Sequence, residues 1–202
     1  VLIFDEITSG FRSNVGGVHL QYRVEPDIAI FGKTMGNGYA ISAIIGRREI
    51  MDYAQSSFIS STFWTERTGP VAALKTIEIM ERDSVHEKLI NTGEYIKKCW
   101  ADMANQYDLE VQITGIPPIP QIAFNSNQSL AIKTIITQEM LKKGYLAGNS
   151  VYVCIDHENN IVDDYMDALT KPFEMISEII DGEDPSKFLE GPICHSGFTR
   201  LN

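Results

Sequence analysis

The sequence predicts an α/β protein with a smaller α+β domain at its C-terminal end, and three observations carry the prediction. Val1-Leu2-Ile3-Phe4 is an apolar run that stops at Asp5-Glu6, and Ile28-Ala29-Ile30-Phe31 is a second that runs into Gly32-Lys33. Such short runs read as buried strands, and open α/β sheets place their chemistry at the carboxyl ends of strands. Helical periodicity follows, with Val71, Leu74, Ile77 and Met80 on one stripe and Leu89, Ile96 and Trp100 on the next. From about residue 108 the texture changes to short strands separated by proline and glycine, and the boundary is placed near residue 100. The expected domains are therefore residues 1–100 and 101–202.

Residues 1–6 read as a strand. Residues 7–26 hold Ser9, Gly10, Gly16 and Gly17 and read as loop with one short element. Pro26-Asp27 leads into the strand at 28–31, and Ile41 to Gly46 is a third strand. Arg47 to about Gln55 is a short helix, followed by a Ser- and Thr-rich loop from Ser56 to Gly69. Pro70 suits a first helical turn, and that helix runs to Arg82. A second long helix runs from about Val85 to Tyr107. Leu109 to Ile113 alternates as a strand, and Gly115-Ile116-Pro117-Pro118-Ile119-Pro120 is a stiff turn. Gln121 to Asn125 returns, which makes a hairpin. Leu130 to Lys143 is an amphipathic helix closed by Gly144. Tyr152 to Ile155 is a strand, and Val162 to Ile180 is the last helix.

Composition excludes several function classes. The 202 residues are 44% hydrophobic and 22% charged, which is enough for a sizeable core. A net charge of −10, from 27 acids against 17 bases, disfavours nucleic acid and an anionic membrane as partners. Cys99, Cys154 and Cys194 are odd in number, far apart and without C-x-x-C spacing. They argue against a disulfide framework or a zinc site and for a reducing cytoplasm. No apolar stretch approaches the roughly 20 residues that span a bilayer. The chain opens on Val1 inside a strand-like run, so it is expected to be the C-terminal part of a longer protein.

Asp5 and Lys33 carry the chemistry. An acid and a primary amine at neighbouring strand ends suit pyridoxal phosphate: the lysine forms a Schiff base, and the acid keeps the pyridine nitrogen protonated. Burial would make such an amine nucleophilic, and Gly36 and Gly38 would let backbone approach a ligand. A nucleotide-hydrolase reading of Asp5-Glu6 and Gly32-Lys33-Thr34 fails. The phosphate-loop pattern needs glycine at position 27, which is Asp27, and the lysine follows the acidic strand.

Weaker signals complete the survey. The hydroxyls of Ser60 to Thr65 before a helix suit a phosphate, or plain capping, which is the simpler reading. Asp156-His157-Glu158-Asn159-Asn160 lacks the glycine and glutamate of a calcium loop and reads as an acidic turn. His86 and His157 lack a paired ligand at metal spacing, and His195 belongs to the tail. Arg67 and Arg200 are substrate-carboxylate candidates by residue type.

Together, Asp5-Glu6-Ile7-Thr8-Ser9-Gly10-Phe11-Arg12, Gly16-Gly17, Pro26-Asp27, Gly32-Lys33 and Gly36-Asn37-Gly38 resemble the class III aminotransferases. Gly10-Phe11-Arg12 and Gly46-Arg47-Arg48-Glu49-Ile50-Met51 are most similar to the glutamate-1-semialdehyde aminomutase branch. The resemblance implies part of the large domain of a fold-type I pyridoxal phosphate enzyme, a mixed, mostly parallel sheet with helices, then the small α+β domain. It implies that Lys33 binds pyridoxal 5'-phosphate and moves the proton, that Asp5 partners the pyridinium nitrogen, and that Ile7 packs on one ring face. Thr62 matches the threonine that binds the cofactor phosphate from the neighbouring subunit, with Ser61 and Thr65 as alternatives in a longer loop. A homodimer with shared sites, acting on a small-molecule amino donor and a carbonyl acceptor, is implied with it. An aminomutase and a non-catalytic homologue are the alternatives. In the family, the phosphate-cradling turn and the stacking aromatic lie upstream of the position of Asp5.

Overall fold

The computed structural model describes residues 1–62 and 64–197. It separates into two compact units, Val1–Ile90 and Asn91–Asn202.

In the first unit, β1 (Ile3–Asp5) and β2 (Ile28–Phe31) pair in parallel, with Ile3 opposite Ile28 and Asp5 opposite Ile30. β3 (Ala43–Gly46) pairs antiparallel with β2, giving the order β1-β2-β3. The expected strand began at Ile41, but the ladder stops where Phe31 meets Ala43. Beyond Phe31 the chain leaves the sheet at Gly32, so Ile41 and Ser42 have no partner strand. β1 is also less covered than a buried strand: Val1, Leu2 and Ile3 are exposed, and among the described residues β1 pairs only with β2. The buried face belongs to β2, where Ala29 and Phe31 are covered and Phe11 meets Phe31 edge-on at 5.4 Å.

Asp27 ties this sheet at its lower end. Its carboxylate accepts the Leu2 N–H at 2.7 Å and an Arg47 guanidinium N–H at 3.3 Å. The Leu2 N–H, more than the nearby Arg47 charge, holds the Asp27 carboxyl below its usual range.

The connection from β1 to β2 holds one helical turn, α1 (His19–Tyr22). After β3, α2 (Arg48–Met51) continues as a 3₁₀ turn over Asp52–Ser56. An exposed loop leads to α3 (Thr68–Arg82). The expected apolar stripe of α3 is covered only in its second half: Met80 is buried and Ile77 half-buried, while Val71 and Leu74 stand exposed and Ala73 is buried instead. The helix α4 (Val85–Gln106) runs across the boundary between the units, and Leu89, Ile96 and Trp100 on its stripe are all buried.

The second unit packs a hairpin against two helices. β4 (Val111–Thr114) and β5 (Gln121–Phe124) pair antiparallel with Thr114 opposite Gln121. α5 (Ser129–Lys142) and α6 (Asn159–Ile180) pack together, and α5 also packs on β5. The core is Ile132, Ile135, Ile136 and Met140 from α5 with Leu169, Phe173, Ile176 and Ile179 from α6. Phe124 joins it edge-on to Phe173 at 5.5 Å. Pro172 removes one backbone donor inside α6, yet the helix continues, because Leu169, Phe173 and Ile176 are anchored in this core. The Tyr95 hydroxyl donates to Asp163 at 2.5 Å and ties α4 to α6.

The expected strand at Tyr152–Ile155 is not one. The segment is extended and donates from Val151 to Pro120 O and from Val153 to Pro118 O, at 3.1 and 3.0 Å. Pro118 and Pro120 have no N–H to return, so no reciprocal ladder can form. Only an isolated bridge, Gln121 to Ser150, remains among the described residues. No described helix is long and apolar enough to cross a membrane.

Candidate active site

The parallel register brings Asp5 and the segment that leads to Lys33 to the same end of the sheet. Asp5 ends β1 opposite Ile30, and Lys33 follows Ile30 by one turn of chain. Glu6 N–H donates to Ile30 O at 2.8 Å, which extends the pairing one residue past Asp5. The chain then passes through extended Gly32 into a 3₁₀ turn, Lys33–Met35, with Lys33 at φ +42°. A lysine seldom adopts this left-handed region, and such strain gathers at functional sites. The Gly36 and Asn37 N–H groups both donate to Lys33 O at 3.1 Å and hold it there.

Around this pair, the Asp5 carboxylate accepts the Ile7 N–H at 3.0 Å, which orients it. The Ile7 side chain lies beside Gly32: a Cβ built there would meet Ile7 Cγ2 at 3.6 Å. The Lys33 amine donates to Thr8 Oγ1 at 2.8 Å. Asp5, Ile7 and Lys33 are therefore brought to one sheet end. Lys33 is exposed in this chain rather than buried, so the desolvation expected for it is not supplied by these residues. Gly36 serves packing rather than a ligand: a Cβ there would lie 2.2 Å from Tyr39 O.

Thr62 stands apart. It lies in a turn of the exposed loop before α3, with no contact to Asp5 or Lys33 among the described residues. The first N–H groups of α3 are not open to a phosphate. Glu66 accepts those of Thr68 and Gly69 at 2.8 and 3.2 Å, together with the Thr68 hydroxyl. That hydroxyl, then the two N–H groups, hold the Glu66 carboxyl below its usual range. Arg67 borders a cavity of about 430 Å³ with Tyr39, Thr68, Val71, Ala72 and Lys75. Arg200 lies outside the described residues. In the acidic turn at 156–160, His157 Nδ1 accepts the Cys154 N–H at 3.4 Å.

Sequence reasoning left Glu6 without a role. Period-two alternation points it away from Asp5, and it is 1% exposed. It accepts the N–H of His19 at 3.0 Å, faces His19 Nδ1 at 2.9 Å, and receives the Ser9 hydroxyl. His19 packs edge-on to Phe4 at 5.6 Å. A Cβ on Gly17 would strike the His19 ring at 2.3 Å, which explains that glycine. Burial alone would raise the Glu6 pKa, but the Ser9 hydroxyl, the His19 and Val18 N–H groups and the His19 ring outweigh it, and the carboxyl sits below its ordinary value of 4.5.

A depressed folded pKa means that the unfolded chain takes up the proton first. The stabilisation from Glu6 is complete above about pH 4.5 and is lost as pH falls through the lower folded value. Glu6→Gln is therefore expected to lower stability at pH 7 by about 2 kcal/mol, with the difference shrinking below pH 4.5. Urea midpoints of the two proteins across pH 3 to 7 check this, and a pH-independent difference counts against it.

Asp5, Ile7 and Lys33 thus cluster past the carboxyl ends of two adjacent parallel strands. The family model described as aminotransferase class-III matches residues 1–176, and the chain belongs to that family. It is 40% identical over 139 residues to a 3-aminobutyryl-CoA aminotransferase of Cloacimonas acidaminovorans, covering 68% of this chain and 34% of that protein. It is 28% identical to a glutamate-1-semialdehyde 2,1-aminomutase of Methanosphaera stadtmanae, covering 84% of this chain and 44% of that protein. The PLP internal aldimine form of the FumI protein of a Sphingopyxis species superposes with TM-score 0.82 at 25% identity, over 91% of this chain and 45% of that one. The chain thus spans less than half the length of these relatives. The expected architecture, part of a fold-type I transaminase, is the one observed.

Proposed function

We propose that this chain contributes the lysine and the acid of a pyridoxal 5'-phosphate-dependent amino-group transfer. One observation carries the reading: Asp5 and Lys33 share one end of a parallel strand pair in a chain of the class III family. When bound, the cofactor supplies a ring that withdraws electrons from the substrate carbon. The residues of this chain do the rest. With the cofactor present, the exposed Lys33 amine would hold its aldehyde and would be the group that carries a proton. Asp5, oriented by the Ile7 N–H, keeps a proton on the ring nitrogen. Ile7 covers one face of the ring.

Similarity to a 3-aminobutyryl-CoA aminotransferase makes a 3-amino acyl thioester the first amino donor to try, with a carbonyl compound as acceptor. Aminomutase relatives support a second reading, in which the amino group moves within one molecule. A requirement for an external donor separates the two.

Cross-subunit sites are the reading for Thr62. Among the described residues the Lys33 amine bonds to Thr8 rather than to Thr62, and this, with the apolar side chains left uncovered nearby, supports the reading. Phe58 is 95% exposed, and Trp64, Val71 and Leu74 are exposed with it. A homodimer covers this surface and brings the Thr62 loop to the partner's cofactor. Three free cysteines support a cytoplasmic setting.

The testing experiment is borohydride reduction of the protein with pyridoxal phosphate, followed by peptide mass mapping. An adduct confined to Lys33 is the expected result, and an adduct spread over surface lysines overturns the reading.

A further inference from the structure

The contact between Thr8 and the Lys33 amine is built from both sides. Thr8 sits in a turn closed by the Gly10 N–H donating to Glu6 O at 2.8 Å. Its own carbonyl accepts Arg12 Nε at 2.7 Å. Behind the turn, the buried Glu6 carboxylate is held by Ser9 and His19. Farther along, Phe11 N–H donates to Gly16 O at 2.7 Å, and the Phe11 ring packs on Phe31. Phe31 is the last residue of β2, two before Lys33. On the other side, the Lys33 backbone is fixed in its left-handed conformation by two N–H donors. With both backbones held, the remaining freedom is in the four-carbon lysine stem, and the Thr8 hydroxyl is placed to restrain it.

We propose that Thr8 is a positioning residue, whose hydroxyl fixes the rotamer of the Lys33 side chain so that its amine meets the cofactor aldehyde from one direction. This rests on the reading of Lys33 as the cofactor lysine. The ammonium form donates to the hydroxyl oxygen, and the neutral amine still donates one of its two N–H bonds there, which leaves its lone pair free for the aldehyde. The contact therefore persists in the reactive form. In the condensation, the amine nitrogen bonds to the aldehyde carbon while the carbonyl oxygen leaves as water. The nitrogen gives up its two protons in that loss, so no oxidant or reductant is required. A held amine reacts faster than one sampling many rotamers.

The test uses the full-length chain carrying these residues, freed of cofactor. Thr8→Val is expected to slow trapping of pyridoxal phosphate at Lys33 by about tenfold, at every pH including the alkaline plateau, with Thr8→Ser within about twofold of the parent. Both variants should melt within about 2 °C of the parent, since Thr8 is half-exposed and makes no core contact. A second readout needs no cofactor: acetic anhydride should label Lys33 about threefold faster in Thr8→Val, because an amine released from the hydroxyl is more accessible to a reagent diffusing in from solvent. Parental rates of both trapping and labelling in Thr8→Val overturn the proposal, as does a Thr8→Ser variant as slow as Thr8→Val. If the parent forms no adduct at Lys33, the proposed function fails. The labelling ratio still decides whether Thr8 holds the amine.

Discussion

Lys33→Ala is expected to reduce amino-group transfer by on the order of 10⁴-fold or more, because removing a nucleophile that acts as part of a unit forfeits most of what the unit contributes. The residues flanking Lys33 are committed to presenting it: extended Gly32, the two N–H donors on its carbonyl and the Thr8 hydroxyl all converge there. Asp5→Asn separates the two roles. The amide keeps the shape and can still accept the Ile7 N–H, but it cannot stabilise a protonated ring nitrogen. Trapping at Lys33 should persist in Asp5→Asn while turnover falls by about 10²- to 10⁴-fold. Turnover of a panel of amino donors, measured alongside borohydride mapping, checks both. Retained turnover in Lys33→Ala, with the adduct on another lysine, would remove this site from consideration.

Gly93→Ala is expected to destabilise the protein by about 2 kcal/mol or more, although alanine is the better helix former by about 1 kcal/mol. A Cβ at this position of α4 would lie 1.7 Å from Pro117 O and 2.4 Å from the Pro117 carbonyl carbon. The obstruction is backbone, so no rotamer change relieves it. Nor can the turn move cheaply. Lys97 Nζ donates to Gly115 O at 2.9 Å, Ile119 N–H to Ile116 O at 2.8 Å, and Val153 N–H to Pro118 O at 3.0 Å. Relaxation would break that set or push α4 off the hairpin connection. Gly148→Ala, where no atom lies within 4 Å, serves as a control expected within about 0.5 kcal/mol of the parent. Urea unfolding of the two variants decides the matter, and equal midpoints would mean that the helix yields without cost.

What was legible in the sequence was local. The strand at 28–31, the hairpin around Gly115–Pro120 and the last two long helices follow from periodicity and turn chemistry within a few residues. That Asp5 and Lys33 fall at one end of the sheet was legible because each closely follows an apolar run. Features set by distant partners were not. Nothing near Tyr152 announces that its facing segment carries prolines, so an extended segment read as a strand. The first half of the α3 stripe was misread because Val71 and Leu74 repeat correctly but face outward in this chain. The Glu6–His19 pair spans 13 positions of loop, and only the folded turn reveals it. The left-handed Lys33 was hidden for the same reason: its conformation is imposed by the turn after it.

The parallel pairing of β1 with β2 also governs which changes this protein can absorb. The link between the strands can grow or shrink at modest entropic cost, provided that the Glu6–His19 latch is spared. Losing one residue inside β2 is a different event. It would slide everything downstream by about 3.3 Å and turn alternate side chains to the opposite face. The amine would then miss the acid's level entirely, even where repacking elsewhere restored overall stability. Length variation in natural or engineered versions should therefore accumulate between residues 20 and 26 and be absent from residues 28 to 33.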